Sequence, residues 1–176
     1  ATAARQRKHL DIAFTWAENA LSLSYEHKDI NNTATALYIL GTINQFAYNF
    51  EKALEYFEKA LLLSEENELQ AVIAKVCAGI GLVHLNLGAN SLSLEYLQKA
   101  LKLYEQLDDK SDITNTIGNI AIIYKRLGLM DKALECSKKA LVESEKLGRK
   151  SDIARNLLNL GNLFERMGIY DSALDC

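Results

Sequence analysis

The stretch NLLNLGNLFERMGIYDSAL, residues 156–174, carries the pattern that decides the fold. Its small residue Gly161 has small counterparts at intervals of forty positions, which are Ala121, Gly81 and Gly41. The interval of forty also relates two further sets, namely Leu54, Leu94, Leu134 and Leu174, and Ala20, Ala60, Ala100 and Ala140. An ungapped period of this length predicts a repeat protein, in which each repeat buries its apolar face against its neighbours.

The period divides the chain into about four and a half repeats. We expect residues 1–176 to form a single array whose two ends both fall inside a repeat. The expected units are a partial unit at 1–28, complete units at 29–68, 69–108 and 109–148, and a partial unit at 149–176. The first partial unit rests on the match between DIAFTWAENALSLS, residues 11–24, and EKALEYFEKALLLS, residues 51–64.

Within each repeat the apolar residues recur at helical rather than strand spacing, as at Ile117, Ile120 and Tyr124. Each repeat is therefore predicted to consist of two amphipathic helices. First helices are expected near 31–47, 70–87, 111–127 and 151–167, and second helices near 9–27, 51–66, 91–107 and 131–147. Only Gly or Ala lets two helix backbones approach closely, so Gly41 and its equivalents are predicted to mark the seam of each hairpin.

The helix ends have local signals as well. Gly88, Gly128 and Gly168 are expected to end the first helices in a left-handed conformation, because glycine adopts positive φ without strain. Ser111 and Ser151, each followed by Asp, are expected to cap the N-termini of the next first helices. These signals predict short, sharp turns between consecutive helices.

At these residues the sequence resembles the tetratricopeptide repeat family. The family pattern has Leu-Gly, an aromatic residue three positions later, and then Ala, an aromatic residue and Ala again. The first complete unit has the matching residues Leu40, Gly41, Ala53, Phe57 and Ala60. The last unit matches with LGNLF, residues 160–164, and Ala173, whereas Asn44 and His84 depart from the pattern at the aromatic position.

The resemblance implies an all-α fold, a right-handed superhelical solenoid of antiparallel helix hairpins with about four and a half 40-residue repeats. This period exceeds the usual length of roughly 34 residues, which implies helices longer by about one turn. Such lengthened repeats are similar to those of Leu-Gly-Asn-repeat spindle adaptors, Rap-type regulators and bacterial sensory arrays. The resemblance therefore implies a protein-binding scaffold.

The composition argues against several function classes. A net charge of −3 predicts no general attraction to nucleic acid or to a membrane. Cys77, Cys136 and Cys176 form no CxxC pair, which favours a reducing, cytoplasmic location over a disulfide framework or a zinc site. The most apolar stretch, residues 71–88, contains Lys75 and His84 and is typical of a buried helix rather than a membrane span.

Catalytic chemistry is not predicted in this sequence. His9, His27 and His84 lack the nucleophile, base and orienting partners that a catalytic site needs. The acidic residues within 65–68 and 108–112 do not follow the order of a calcium-binding loop, and they are expected to lie on solvated turns. We therefore expect a protein that is not an enzyme and that needs no cofactor or metal ion.

A stripe of residues on the first helices lies opposite the seam. Its positions recur at i, i+4, i+7 and i+11, and they become polar in the last two repeats. The predicted peptide-binding groove consists of Lys75, Asn115, Asn119, Ile122, Arg126, Arg155, Asn159, Asn162 and Arg166. Gly79 shares the stripe with Lys75 in the second complete unit. The resemblance implies that first helices line a concave groove, in which Asn119 and Asn159 hold the backbone of an extended peptide.

Charge predicts the character of the ligand. Residues 70–87, 110–127 and 149–167, which include the last three first helices, carry eight basic residues, which are Lys75, Lys110, Lys125, Arg126, Arg149, Lys150, Arg155 and Arg166. With the three acidic residues Asp112, Asp152 and Glu165, these segments have a net charge of +5, against −3 for the whole chain. A basic wall on an acidic body predicts an acidic ligand, and an ordinary solvated face is the alternative. Tyr38 and Thr42 replace the lysine and asparagine of the two-carboxylate clamp found in chaperone-binding members, so that clamp is not expected.

The sequence leaves three functions open. The leading one is a non-catalytic protein-protein interaction module that binds an extended, acidic peptide or protein segment. The second is a sensory or regulatory segment of a larger bacterial signalling protein, such as a kinase, a cyclase or a transcription regulator. The third is homotypic assembly, because the helix bearing Phe14, Trp16 and Leu21 has no hairpin partner and exposed solenoid ends can stack head to tail.

Overall fold

The computed structural model describes the backbone of residues 2–176 and the side chains of residues 8–176. Over this range the regular structure is entirely helical. The helices are α1 (Thr2–Glu26), α2 (Ile30–Phe46), α3 (Phe50–Glu66), α4 (Gln70–Asn86), α5 (Asn90–Gln106), α6 (Lys110–Arg126), α7 (Met130–Lys146), α8 (Lys150–Arg166) and α9 (Tyr170–Asp175). The predicted all-α class, built from a repeated helix hairpin, is confirmed.

The helices fall within about one residue of the positions that the forty-residue pattern predicts, with one exception. Helix α1 begins at Thr2 instead of near residue 9. Three residues separate each pair of consecutive helices, as at 47–49 between α2 and α3. Because turns of this length return the chain on itself, α2 packs on α3, α6 on α7, and α7 on α8.

Each turn contains one residue with positive φ. Gly88, Gly128 and Gly168 have φ values of 79°, 77° and 74°, which confirms the predicted left-handed helix ends. The other turns place Lys28, Tyr48, Glu68, Asp108 and Gly148 in the same conformation. In the first glycine turn the amide of Ala89 donates to the carbonyl of His84 at 2.9 Å, and that of Gly88 to Leu85 at 3.2 Å, the bond pair of a Schellman motif.

The predicted N-caps are wrong. Because α6 already begins at Lys110, Ser111 lies inside its first turn, and the capping residue is Asp109. The Asp109 carboxylate accepts a hydrogen bond from the amide of Asp112 at 3.0 Å. Ser151 likewise lies inside α8, whose cap residue Arg149 has no side-chain capping bond.

Tertiary contacts divide the chain into two compact units, one ending at Val83 and the other running from His84 to Cys176. In the first unit the fully buried ring of Phe57 lies between two glycines. A Cβ atom added to Gly41 would lie 2.6 Å from this ring, and one added to Gly79 would also lie 2.6 Å from it. Close packing at Gly41 is therefore confirmed, whereas the placement of Gly79 on a free stripe is wrong, because Gly79 packs under Phe57.

In the second unit α8 packs against α7 and α9 and also contacts α6. The predicted seam residue Ala140 is fully buried, and Leu163 is 1% exposed. A buried amide adds a polar link, since Nδ2 of Asn156 donates to Oγ of Ser144 at 2.8 Å. Gly161 is less crowded than Gly41, because an added Cβ would meet its nearest neighbour at 3.4 Å. The division of the chain into three complete and two partial 40-residue units remains a prediction.

Candidate functional site

Eight of the nine predicted groove residues lie on α6 and α8, in the second unit, and none of them is buried. The half-buried ones are Asn115, Asn119, Ile122 and Asn159, and the exposed ones are Arg126, Arg155, Asn162 and Arg166. The ninth, Lys75, is exposed on α4 in the first unit. The structure thus brings the α6 and α8 members together on two helices that contact each other.

A direct hydrogen bond joins the two stripes. Nη2 of Arg155 donates to Oδ1 of Asn115, its equivalent one repeat earlier, at 2.7 Å. The same guanidinium nitrogen donates to Oδ1 of Asp152 at 2.8 Å. At this position the side chains of α6 and α8 are therefore in direct contact.

Asp152 is the centre of a charged network that the sequence analysis did not identify. Its side chain is 9% exposed, and Oδ2 lies 2.6 Å from Nε of Arg149. Arg149 also donates through Nη1 to Oγ of Ser111 on α6. The network therefore links the first turns of α6 and α8. Its signal in the sequence was the spacing of three that places Arg149 and Arg155 on either side of Asp152.

A second group of cations lies at the opposite end of these helices. It consists of Lys125 and Arg126, in the last turn of α6, and Arg166, in the last turn of α8. Burial lowers the pKa of Lys125 below its ordinary value, and the positive charges of Arg166 and Arg126 lower it further. Nη1 of Arg126 donates to the backbone carbonyl of Leu85, near the C-terminus of α4. Cations are favourable there because helix C-termini carry partial negative charge.

A narrow cleft of about 10 Å³ adjoins this cation group. Its lining includes Ile122 and Lys125 of α6, Ser137 of α7, and Asn159 and Leu163 of α8. A volume of this size holds about one water molecule. The cleft therefore places the half-buried amide of Asn159 beside an apolar surface and a cation.

A larger apolar cleft of about 740 Å³ lies between α8 and α9. Leu157, Leu158, Tyr170 and Leu174 contribute to its lining. Leu158 is 65% exposed and Leu174 is 85% exposed, so this is an open groove rather than an enclosed cavity. Its chemistry suits an apolar helix face, not a charged ligand.

The described side chains offer little that is typical of a reactive centre. Within residues 8–176, no group of three His, Cys, Asp or Glu side chains could hold a metal ion. Cys136 and Cys176 are free thiols. His84 stacks on Tyr96 with ring centres 5.9 Å apart, and burial lowers its pKa. None of the described helices combines the length and the apolar character needed to cross a membrane.

Sequence comparison identifies one family. The profile of the tetratricopeptide repeat matches residues 34–67, 73–141 and 112–176. A comparison with curated protein sequences gives no significant match.

Solved structures with the same fold include BtubC (BKLC) from P. vanneervenii, with a TM-score of 0.85 and 20% identity over 98% of this chain and 72% of that one. RapI in its apo form has a TM-score of 0.79 and 22% identity over 95% of this chain and 47% of its own. A Rap protein complexed with Competence and Sporulation Factor has a TM-score of 0.75 and 16% identity over 95% of this chain and 57% of its own. The chain spans about half the length of the two Rap proteins, and at these identities the likeness shows the fold alone.

Proposed function

Because the chain belongs to the tetratricopeptide repeat family, whose repeats typically form non-catalytic interaction scaffolds, we propose that it binds an extended, acidic peptide segment along α6 and α8. One observation carries this proposal. The stripe residues of both helices keep their side chains at least partly exposed, on two first helices that contact each other.

Each kind of groove residue has a proposed role. The amides of Asn119 and Asn159 donate to and accept from the peptide backbone, since one carboxamide offers both functions. Ile122 supplies apolar contact, and the guanidinium groups attract ligand carboxylates. Asn162 and Asn115 extend the polar stripe on α6 and α8. Similar recognition in this chain would parallel the Rap protein that was solved with a bound factor.

Affinity in such a groove comes from the sum of several contacts. A net contribution of roughly 0.5–1.5 kcal/mol per hydrogen bond means that one asparagine cannot hold a ligand. Micromolar binding requires about −8 kcal/mol. Both asparagines, the cations and the apolar contacts must therefore act together, so an extended ligand fits better than a compact one.

A selection from a random 12-residue peptide display library tests the proposal. We expect the bound peptides to be enriched in Asp and Glu relative to the input. The Asn119→Ala, Asn159→Ala double variant should bind the tightest selected peptide about tenfold more weakly, because about 1.4 kcal/mol corresponds to one decade in affinity. Asn19→Ala, an exposed change on α1, is the matched control. An unenriched or basic peptide pool, or equal binding by the double variant and wild type, contradicts the proposal.

The apolar cleft between α8 and α9 supports self-association as a second candidate function. Its exposed Leu158 and Leu174 are typical of a surface that packs against another helix. Light scattering over a concentration series should then show a species larger than a monomer. Leu158→Glu should restore the monomer, whereas a monomeric wild type would exclude this candidate.

We also propose that the protein is cytoplasmic and that its partners do not include nucleic acid or membranes. Three cysteines without a CxxC pair suit a reducing, cytoplasmic compartment. The net charge of −3 gives no general affinity for nucleic acid or for an anionic membrane.

A further inference from the structure

Five cations on α6, on α8 and in the turn before α8 fall into two sets with different surroundings. The first set, at the N-terminal end of α8, comprises Arg149 and Arg155 around Asp152. The second set, at the C-terminal ends of the helices, comprises Lys125, Arg126 and Arg166. The two sets differ in whether a carboxylate of the protein itself balances them.

In the first set the protein supplies the anion. Asp152 lies 2.6 Å from Arg149 and 2.8 Å from Arg155, and its side chain is only 9% exposed. Arg155 donates in addition to Asn115, and Arg149 to Ser111. A ligand carboxylate would have to compete with a nearly buried internal one, so this set is suited to joining α8 to α6 rather than to binding a ligand.

For the second set, none of the described carboxylates plays this part. Partial burial lowers the pKa of Lys125, and the positive charges of Arg166 and Arg126 lower it further, so each of these effects disfavours the charged form of the lysine. None of the ion pairs found among residues 8–176 includes a member of this set. Three cations held together without a counter-ion repel one another, and a bound anion relieves that repulsion.

The geometry around the second set also suits a peptide side chain. Arg126 donates one guanidinium hydrogen to the carbonyl of Leu85, and this bond fixes the position of the guanidinium. Because a guanidinium has five N–H donors, the others remain for a ligand. Lys125 borders the cleft that Asn159 and Ile122 line. A peptide backbone bound at Asn159 would therefore bring an adjacent side chain toward Lys125.

We propose that Lys125, Arg126 and Arg166 form the subsite that binds a carboxylate of the ligand. Arg155, by contrast, pairs with Asp152 and serves to join α8 to α6. This inference rests on the proposed function and refines it, because it locates the preference for an acidic residue at one end of the groove. The ligand is an Asp or Glu side chain of an extended peptide.

The test uses the full chain and the tightest acidic peptide from the display selection, labelled with fluorescein and followed by anisotropy. Arg166→Gln and Lys125→Gln should each weaken binding about tenfold. Lys138→Gln, which removes a charge from the exposed face of α7, is the matched control and should change binding less than twofold. Arg155→Gln should lower the unfolding temperature more than Arg166→Gln does, yet weaken binding less. A larger binding loss for Arg155→Gln than for Arg166→Gln overturns the inference.

Substituting each Glu of the peptide by Gln in turn identifies the carboxylate that the subsite binds. One of these peptide changes should be non-additive with Arg166→Gln, since each removes one partner of the same pair. Additive effects at every peptide position overturn the subsite. Displacement of the peptide by inorganic phosphate, with no displacement by acetate at the same concentration, would also overturn it by identifying a phosphate site.

These outcomes separate the two proposals. If selection yields no acidic peptide, the proposed function and the subsite both fail. If the selected peptide is lost from the Asn119→Ala, Asn159→Ala variant but binds Arg166→Gln normally, only the subsite fails.

Discussion

The guanidinium of Arg155 donates to the amide oxygen of Asn115 at 2.7 Å, although forty residues separate them in the chain. The two residues occupy the same position in consecutive repeats. Their contact joins the stripe on α6 to the stripe on α8 at this position in the second unit. A ligand lying across this surface can therefore meet residues from both repeats.

The network around Asp152 should contribute measurably to stability. Asp152→Asn removes the charge that pairs with Arg149 and Arg155, and we expect a loss of about 1–3 kcal/mol in the free energy of unfolding. Urea denaturation measures this loss. Asp131→Asn, an exposed change in the first turn of α7, is the control and should cost under about 1 kcal/mol. Equal losses in the two variants would show that the network contributes nothing.

The ring of Phe57 leaves no space for a methyl group at Gly41. Gly41→Ala would place Cβ 2.6 Å from the ring, so we expect a loss of about 1–3 kcal/mol in the free energy of unfolding. Gly118→Ala is the matched control, because its nearest contact would be 3.4 Å and alanine favours helix by roughly 0.5–1 kcal/mol. Chemical denaturation compares the two. A stabilising Gly41→Ala would contradict the close packing of α2 on Phe57.

Replacing a non-glycine residue of positive φ by glycine should stabilise the protein at these turns. Glu68 has a φ of 56°, and a non-glycine residue in that region costs about 1–2 kcal/mol. Glu68→Gly should therefore raise the unfolding temperature, although added freedom in the unfolded chain offsets part of the gain. Gly148→Ala is the reverse change at the equivalent turn two repeats later, where φ is 64° and nothing lies within 4 Å of an added Cβ. It should lower the unfolding temperature, and a rise would show that φ strain does not govern these turns.

His84 should make the protein less stable in acid. Burial lowers its pKa below the usual 6.5, so the folded state favours the neutral ring that stacks on Tyr96. The stability that this preference contributes is complete above the unfolded pKa of about 6.5 and is lost as the pH falls through the folded value. His84→Gln should therefore lose less stability than wild type between pH 7.5 and pH 5. His27→Gln, at an exposed position, should follow the wild-type profile. Identical profiles for wild type and His84→Gln would contradict the shift.

The sequence predicted the helices because their signals are local and repeated. A forty-residue period with apolar residues at helical spacing predicts α2 to α8 within about one residue, and the glycines at 88, 128 and 168 mark left-handed turns. The N-cap prediction failed because Ser111 and Ser151 have the composition of caps, whereas the helices already begin at Lys110 and Lys150 and their cap residues are Asp109 and Arg149. Composition alone does not fix that register.

The candidate site was predictable in its position but not in its electrostatics. Helical periodicity places the stripe on the side away from the seam, and eight of its members lie on α6 and α8 as expected. Gly79 was misplaced because its environment depends on the size of Phe57, which lies on another helix. A sum of charges also treats Arg155 and Arg166 alike. Only the three-dimensional structure shows that Asp152 pairs with Arg155.

The side-chain amide resonances of Asn119 and Asn159 test the central claim most directly. In a titration of the full chain with the selected acidic peptide, both carboxamide signals should shift and saturate together in a nitrogen-proton correlation spectrum. The signals of Asn19 and Asn67, which are exposed on α1 and at the end of α3, should not move. Saturable shifts confined to residues of the α8/α9 cleft, with Asn119 and Asn159 unchanged, would contradict binding along the α6 and α8 stripe.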